Sequence, residues 1–154
     1  MKREQKSKRE RKVPGMFKGE YKHTLDAKGR LVVPSKVRDE LGSQFVITKA
    51  FDQCLYIFPE ASWEKFVEKI NCLPASQEKV RKVQRRFIGS SADCEPDKQG
   101  RFLIPTNLRE YAGITKDVVL VGLSDRLEVW SQERWDEYCS EDDSIDDIAG
   151  DLVF

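Results

Sequence analysis

One pattern of apolar and polar positions occurs twice along the chain. Three consecutive apolar residues at 31–33 are followed by a proline, and three at 102–104 are followed by another. An Asp-x-x-Gly-Arg segment precedes each run, beginning at Asp26 in the first copy and at Asp97 in the second, an offset of 71 residues. Self-similarity at a fixed offset is typical of a duplicated structural unit. The pattern therefore predicts two copies of one small fold.

The correspondence extends well beyond this segment. Downstream of each proline the two copies share an arginine, a glycine, a four-residue strand and a tryptophan, with the later matches at an offset of 72 residues. The matched positions are Arg38 with Arg109, Gly42 with Gly113, 55–58 with 127–130, and Trp63 with Trp135. Matches in the same order over this length indicate a duplication rather than chance.

Each copy predicts the same succession of elements. A first strand leads to a tight turn, where glycine supplies the left-handed backbone position and aspartate favours turn formation. The apolar run is a short strand that the proline ends, because proline cannot donate to a central ladder. The Pro-Ser and Pro-Thr pairs favour a helix capped by Ser35 or Thr106 and ending at the next glycine. The predicted strands, with a closing hairpin in each copy, are 19–25, 31–33, 45–51 and 55–58, then 88–95, 102–104, 118–123 and 127–130.

The two copies are expected to share one core. A unit of about 50–60 residues is marginal when alone, so we expect a single pseudo-twofold, β-rich domain in which each copy buries its apolar strands against the other. The helix that joins the copies has a basic side, which is either a solvated face or a phosphate-contacting surface. The predicted division is a disordered basic arm at 1–15, a first repeat at 16–75, a linking helix at 76–87, a second repeat at 88–140 and an acidic tail at 141–154.

The distribution of charge changes how the neutral total is interpreted. The chain has 27 Lys and Arg against 27 Asp and Glu, but residues 1–15 carry a net +5 and residues 133–154 a net −8. The body at 16–132 is therefore mildly basic, at +3, and does not argue against a nucleic-acid partner. Hydrophobic content of 39% and charged content of 35% fit a soluble globular protein. No apolar run reaches the roughly 20 residues of a membrane-spanning helix, and no signal region is recognisable, so we expect a cytoplasmic protein without a membrane partner.

The sequence predicts neither a metal site nor an enzyme. Its four cysteines form no Cys-x-x-Cys pair, and the single histidine, His23, has no ligand-spaced neighbour. Reduced, mostly buried thiols are the expected state of the cysteines. There is no glycine-rich phosphate loop and no convincing acid–base constellation, and a duplicated carboxylate-and-arginine loop suits a two-handed binding protein better than an active site. We therefore expect no cofactor and no catalytic residue.

Arg30 and Arg101 are the candidate base-contacting residues. An arginine presents a rigid fork of donors that fits O6 and N7 of guanine in the major groove. A two-stranded β-ribbon is narrow enough to enter that groove, and we expect both arginines at the tip of such a ribbon. The alternative for each arginine is a structural salt bridge with the aspartate four residues earlier in the sequence.

The residues around the two arginines have supporting roles in this hypothesis. Asp26 and Asp97 are expected to fix the turns or to hold the arginine forks, rather than to contact bases. Gly29 and Gly100 let the backbone turn and approach DNA without a Cβ clash. The candidate phosphate contacts are Lys22, Lys28, Lys36, Arg38, Lys98 and Arg109, with a solvated surface charge as the alternative for each lysine. The aromatic residues expected to pack rather than to stack on bases are Trp63, Trp130, Trp135, Tyr56, Phe58 and Phe102.

Three segments carry a pattern that extends over residues 16–138: MFKGEYKHTLDAKGRLVVPSKVR, RRFIGSSADCEPDKQGRFLIPTNLREYAGI and VVLVGLSDRLEVWSQERW. They resemble the MraZ family of bacterial transcriptional regulators. The resemblance implies an α+β fold of two tandem swapped-hairpin repeats of the SpoVT-AbrB type, forming one β-barrel-like domain with short helices. It places the family signature on Asp26 and Arg30 in the first copy, and on Asp97 and Arg101 in the second.

The resemblance also implies a function. It implies a repressor that binds double-stranded promoter DNA at short G-rich direct repeats and controls the division and cell-wall gene cluster, including its own promoter. It further implies ring-shaped homo-oligomers, octamers or dodecamers, and a cytoplasmic, nucleoid-associated location. The alternative is an antitoxin-like protein-interaction module of the same fold, whose tail, with Ile145, Ile148 and 152–154, wraps a partner. The covalent linkage of two copies argues against that alternative, and the basic arm and the long acidic tail depart from the family pattern.

Overall fold

The structure, a computed structural model, describes residues 16–141 and 144–154. The basic arm predicted at 1–15 lies outside the described residues. The strands are β1 (Phe17–Thr24), β2 (Arg30–Val32), β3 (Phe45–Lys49), β4 (Leu55–Pro59), β5 (Ala92–Cys94), β6 (Arg101–Leu103), β7 (Asp117–Ser124) and β8 (Leu127–Ser131). The helices are α1 (Arg38–Leu41), α2 (Glu60–Asn71), α3 (Glu78–Phe87), α4 (Thr106–Ala112), α5 (Gln132–Ser140) and α6 (Ile145–Leu152), with 3-10 turns at Ser35–Val37 and Phe51–Gln53.

The strand order shows that the two copies are intertwined. Six antiparallel strands form one sheet in the order β1-β7-β8-β4-β3-β5, and β2 pairs with β6 in a separate two-stranded ribbon. The first strand of each copy pairs with the hairpin of the other copy, because β1 lies beside β7 and β5 lies beside β3. Exchanging each strand for its counterpart in the other copy gives the same order, counted from the other edge of the sheet. This confirms a single domain with pseudo-twofold symmetry, built from swapped hairpins.

The register places the pseudo-twofold axis at two residue pairs. In the sheet, Tyr56 lies opposite Glu128, its counterpart in the second copy. In the ribbon, Leu31 lies opposite Phe102, which is again its counterpart. The axis therefore passes through the centre of both sheets, and the ribbon lies on the symmetry axis of the domain.

Side chains alternate between the two faces of the six-stranded sheet and build a core on each face. The first core lies between the sheet, the ribbon and helices α1 and α4; there Leu31 and Phe102 are buried, and Phe45 packs edge-to-face on Phe102 with ring centroids 4.9 Å apart. The second core lies under α2, α3 and α5, around Phe58 and Trp130. The fold thus has three layers, with the ribbon on one side of the sheet and the longer helices on the other. The predicted packing role of the aromatic residues is confirmed.

Three features of the predicted fold are wrong. The strands of the described residues close no barrel, because β1 and β5 end the sheet without pairing with each other. The helices, 3-10 turns included, hold more residues than the strands, so the fold is α+β but not rich in β-structure. The first strand of the second copy is also shorter than the predicted 88–95. The chain after α3 first forms turns, in which the Ile88 and Gly89 amides donate to the Gln84 carbonyl.

The predicted helix caps also need correction. Pro34 and Pro105, rather than Ser35 and Thr106, hold the position before each helical turn, with extended ψ values of 135° and 145°. Neither helix start has a side-chain cap. The proline ring already fixes φ, and the residue after it enters the helix directly. At the other end of α4, Gly113 adopts the predicted left-handed conformation, with φ 66°.

The acidic tail contains a helix where sequence composition predicts an irregular tail. Helix α6 carries Ile145, Ile148 and Leu152 at helical spacing, and all three are exposed. No helix of the described ranges is both long and apolar enough to cross a membrane.

Two of the four cysteines are buried, fewer than the sequence predicts. Cys54 and Cys94 are buried, whereas Cys72 and Cys139 are exposed, and no disulfide joins any of them in the described part of the chain. Burial raises the pKa of the Cys94 thiol to about 12, and burial also raises the pKa of the Cys54 thiol. Both buried thiols are therefore protonated at neutral pH and pack as small apolar groups.

Candidate nucleic-acid interface

The ribbon brings Arg30 and Arg101 together on one surface. Arg30 lies opposite Leu103 and Arg101 lies opposite Val32, so the two arginines are diagonal neighbours on antiparallel strands. Such diagonal positions have side chains about 7–8 Å apart. The residue after each arginine is buried in the first core, and strand alternation therefore turns both arginines outward.

The position of the arginines differs from the predicted ribbon tip. Because β2 and β6 come from different copies, the first loop (26–29) and the second loop (97–100) lie at opposite ends of the ribbon. The arginines stand on the outward face between these loops. Sequence periodicity could not supply this arrangement, since it depends on which strands pair.

Each aspartate holds both its loop and its arginine. In the first loop, Asp26 Oδ1 accepts the backbone N–H groups of Lys28 and Arg30, each at 2.9 Å, and Oδ2 accepts Nε–H of Arg30 at 2.7 Å. In the second loop, Asp97 makes the same three bonds, to the backbone of Gln99 and Arg101 and to Arg101 Nε, all at 2.9 Å. The two roles that the sequence left open for the aspartates therefore occur together.

Both aspartates are held in the charged state. The backbone hydrogen bond from Arg30 lowers the pKa of Asp26, and that from Arg101 lowers the pKa of Asp97. A carboxyl group with a lowered pKa in the folded state contributes its stabilisation above its ordinary pKa of about 3.9 and loses it as pH falls through the lowered value. Both carboxylates are therefore charged at neutral pH, and this is the state that accepts the hydrogen bonds of each loop.

The salt bridges leave part of each arginine fork available. The aspartates occupy only Nε, and the Nη atoms of Arg30 and Arg101 make no hydrogen bond to the part of the chain that the structure describes. The arginine side chains are 28% and 33% exposed. A fork fixed at one edge and open at the other can donate two parallel bonds to a planar pair of acceptors.

Each loop is also hydrogen-bonded to the other copy of the repeat through the carbonyl group of its glycine. The Gly29 carbonyl accepts the Ile104 amide at 3.1 Å, and the Gly100 carbonyl accepts the Val33 amide at 2.8 Å. Both glycines have the left-handed backbone that the sequence predicted, with φ 80° and 78°. The position of each loop therefore depends on the strand that leaves the other loop.

Arg38 and Arg109 support the loops from the opposite copy. Arg38 donates from Nε to the Val33 carbonyl at 2.9 Å, and its guanidinium faces Gly100, where a Cβ would lie 2.8 Å from Nη2. Arg109 donates from Nη2 to Thr106 Oγ1 at 2.9 Å, and its guanidinium overlaps the position of a Cβ on Gly29. These contacts across the pseudo-twofold axis were not foreseen. The matched arginines at 38 and 109 were the sign of these contacts in the sequence, but they were predicted only as phosphate contacts.

The remaining candidate phosphate contacts lie at different distances from the ribbon. Lys28 and Lys98 are exposed on the two loops, and Lys36 is exposed in the turn after β2. Lys22 instead lines a polar cleft with Gln132 of α5, on the helix side of the sheet. The basic side of α3 lies in that same helix layer. A duplex that contacts the ribbon would therefore meet the loop lysines before Lys22 or α3.

Replacing Asp26 separates its two roles. We expect Asp26→Asn to retain an oxygen for the backbone N–H groups of Lys28 and Arg30 but to lose the charge-assisted bond to the arginine fork. DNA affinity should fall about two- to fivefold, as for loss of an exposed ion pair, and Asp26→Ala should lower it further. Amide hydrogen exchange at these two residues should increase only in the alanine variant. The unchanged second loop is the internal control, and equal effects of both substitutions would contradict the division of roles.

The fold and the paired loops define a single-chain pseudo-dimer of swapped hairpins, with two aspartate-held arginines on one outward face. The chain belongs to the MraZ family: the family model described as "MraZ protein, putative antitoxin-like" matches residues 16–86 and 87–151. The chain is similar to proteins named "Transcriptional regulator MraZ" from several bacteria. That of Lachnoclostridium phytofermentans is 52% identical over 134 residues, 87% of this chain and 93% of the relative. That of Moorella thermoacetica is 48% identical over 139 residues, 90% of this chain and 97% of the relative.

Proposed function

We propose that this chain is a sequence-specific, DNA-binding transcriptional regulator that contacts base edges through Arg30 and Arg101. The observation that carries the proposal is the outward face of the ribbon, where an aspartate orients each arginine and leaves its Nη atoms open. The names of the relatives give the same class of activity.

The arrangement suits recognition of guanine in the major groove. Guanine offers O6 and N7 as neighbouring acceptors, and a bidentate arginine contact discriminates against the wrong base by about 1–3 kcal/mol. Lys28, Lys98 and Lys36 are exposed beside the ribbon, which supports a role as phosphate contacts. Such contacts position the protein without selecting sequence. Arg38 and Arg109 combine a phosphate contact with their support of the loops, and Lys22 is the least favourably placed of the candidates.

The finer target rests on the family resemblance. The proposed operator consists of short G-rich direct repeats at the promoter of the division and cell-wall gene cluster, including the chain's own promoter, where the protein acts as a repressor. The ribbon of one chain presents two base-contacting arginines, so one chain should bind weakly alone. A ring of identical chains would engage successive repeats and raise affinity through effective concentration. The proposed location is the cytoplasm, associated with the nucleoid.

An antitoxin-like interaction module is the second candidate function. The exposed apolar stripe of α6, formed by Ile145, Ile148 and Leu152, favours it, because such a stripe suits a protein partner. A stoichiometric partner that co-purifies with the chain and is lost on removal of 144–154 would support this candidate over the first.

Footprinting on the DNA upstream of the chain's own gene tests the proposal, together with the mass of the chain in solution. We expect protection of repeated sites, an oligomeric mass, and an observed affinity that falls linearly on a log–log plot against salt, by about 0.9 per phosphate contact. Lys28→Ala should reduce this slope by about one unit per subunit bound, because Lys28 lies on the loop.

Lys69→Ala is the matched control, since Lys69 lies on α2 in the opposite layer. A monomer that protects no site, or a slope that both substitutions change equally, would contradict the proposal.

A further inference from the structure

Two apolar side chains stand exposed beside the arginines. Val32 is 38% exposed and Leu103 is 53% exposed, whereas the residue before each one, Leu31 or Phe102, is buried in the first core. Neither Val32 nor Leu103 belongs to an apolar cluster of the described residues. Strand alternation places both on the outward face, together with the arginines. The ribbon therefore presents two cations and two aliphatic side chains on one surface.

The register combines these four residues into two mixed pairs. Arg30 lies directly opposite Leu103, and Arg101 lies directly opposite Val32. Side chains at directly opposed positions of antiparallel strands have Cβ atoms about 4.5–5.5 Å apart. Each pair takes its arginine from one copy of the repeat and its aliphatic residue from the other. The swapped topology thus creates two composite surfaces, each with a fork of donors beside an apolar group.

The charge and shape of this surface limit what can cover it. The two arginines favour a polyanion, and the narrow ribbon fits the major groove of a duplex. The C5-methyl of thymine is the apolar group that a base pair presents in that groove, and aliphatic side chains contact it. A thymine stacked next to a guanine places this methyl group beside the acceptors that an arginine fork contacts.

We propose that Leu103 and Val32 are specificity-determining residues that recognise the C5-methyl group of a thymine next to the guanine contacted by the arginine of the same pair. This inference rests on the proposed function. It means that each pair recognises two neighbouring bases, a guanine through its arginine and a thymine through its aliphatic side chain. Leu103 is the longer and more exposed of the two side chains. The pair of Arg30 and Leu103 therefore discriminates more strongly for the methyl group than the pair of Arg101 and Val32.

The test removes the methyl group from the DNA and leaves the protein unchanged. Duplexes enriched by the full chain from a random-sequence pool are synthesised with each thymine replaced singly by deoxyuridine, and affinity is measured by fluorescence anisotropy. We expect at least one replacement to weaken binding about fourfold, the effect of leaving one methyl group unburied. That thymine should adjoin the guanine that Arg30→Ala no longer discriminates.

Variants then assign the effect to a side chain. Leu103→Ala should bind the thymine duplex more weakly and should no longer distinguish thymine from deoxyuridine at that position. Leu73→Ala is the matched control, because Leu73 is 44% exposed in the connection between α2 and α3, in the helix layer. It should retain the full response to deoxyuridine.

The possible failures are distinguishable. If no duplex is enriched, the proposed function fails and this inference falls with it. If an enriched duplex depends on Arg30 but no deoxyuridine replacement changes its affinity, only this inference is overturned. It is also overturned if Leu103→Ala changes the mass of the oligomer and keeps its response to deoxyuridine, since Leu103 would then be a contact between subunits.

Discussion

Replacing Arg30 or Arg101 by alanine is expected to weaken selective binding to the operator strongly while the fold remains intact. Each substitution removes one bidentate base contact of about 1–3 kcal/mol, which corresponds to about a five- to 150-fold loss in affinity for that site. In a complex that uses several subunits the loss recurs at each bound subunit. Unfolding should change little, because both side chains are partly exposed and their neighbours Leu31 and Phe102 form the core.

Three companion variants make this result specific. Arg30→Lys keeps the charge but loses the planar fork, so it should retain non-specific affinity and lose discrimination at the contacted guanine. Lys69→Ala removes one positive charge from the helix layer and should leave discrimination unchanged. Asp26→Ala releases the fork without removing it, so its loss should be smaller than that of Arg30→Ala. Affinities for the operator and for a scrambled duplex, measured at one salt concentration, separate these cases.

A different outcome would reassign the arginines. If Arg30→Ala lowered the midpoint of thermal unfolding and left discrimination unchanged, the salt bridge to Asp26 would be its main role. The bond from Arg30 to Asp26 favours a structural role for this arginine, whereas its open Nη atoms favour a base contact. Measuring stability and discrimination on the same variant is therefore essential.

Much of the fold follows from the repeated pattern. The two loops, the prolines that end β2 and β6, and both hairpins lie where alternation and turn residues predict them. The duplication strengthens each assignment, because a strand recognised in one copy supports its counterpart in the other. The left-handed glycines are predictable for the same reason: a tight turn in each copy places glycine at the equivalent position.

The pairing of the strands could not be predicted in this way. Alternation identifies the buried face of a strand but not its neighbour, so β1 could have paired within its own copy. The observed exchange moves each loop beside the other copy, and the contacts of Arg38 and Arg109 with the opposite loops follow only from that exchange. The composite pairs of the ribbon, such as Arg30 with Leu103, depend on it equally.

The errors at the helices have local causes. Ser35 and Thr106 follow a proline that already sets the backbone, so no side-chain cap is formed. Helix α6 was missed because the composition of the tail outweighed its periodicity: Ile145, Ile148 and Leu152 recur at the spacing of one helical face. Composition describes solubility well but predicts the secondary structure of a short amphipathic segment poorly.

The contact between Gly29 and Arg109 predicts a second large effect. Gly29→Ala places a Cβ where the Arg109 guanidinium lies and forces a non-glycine residue to adopt φ 80°. The left-handed backbone alone costs about 1–2 kcal/mol, which lowers the midpoint of thermal unfolding by about 2–8 °C in a chain of this size. The guanidinium must also move, and it leaves the loop that presents Arg30. Operator affinity should therefore fall together with stability.

A double substitution separates the two causes. Arg109→Ala removes the steric conflict but not the backbone strain, so Gly29→Ala with Arg109→Ala should be more stable than the sum of the single effects predicts. Residues that share a contact show coupling of about 0.5–3 kcal/mol in such a cycle. Gly100→Ala should be milder than Gly29→Ala, because its Cβ would lie 2.8 Å from Arg38 Nη2, whereas a Cβ on Gly29 would overlap the Arg109 guanidinium.

The cycle also tests the swapped topology in solution, since Gly29 and Arg109 belong to different copies of the repeat. The matched control combines Gly29 with Arg38, which is the counterpart of Arg109 in the first copy. Substitutions at these two residues should have additive effects. Strong coupling of Gly29 with Arg109 and none with Arg38 requires each loop to lie against the helix that follows the other loop. Coupling with Arg38 instead would mean that each copy folds on itself, and the composite surface of the ribbon would not exist.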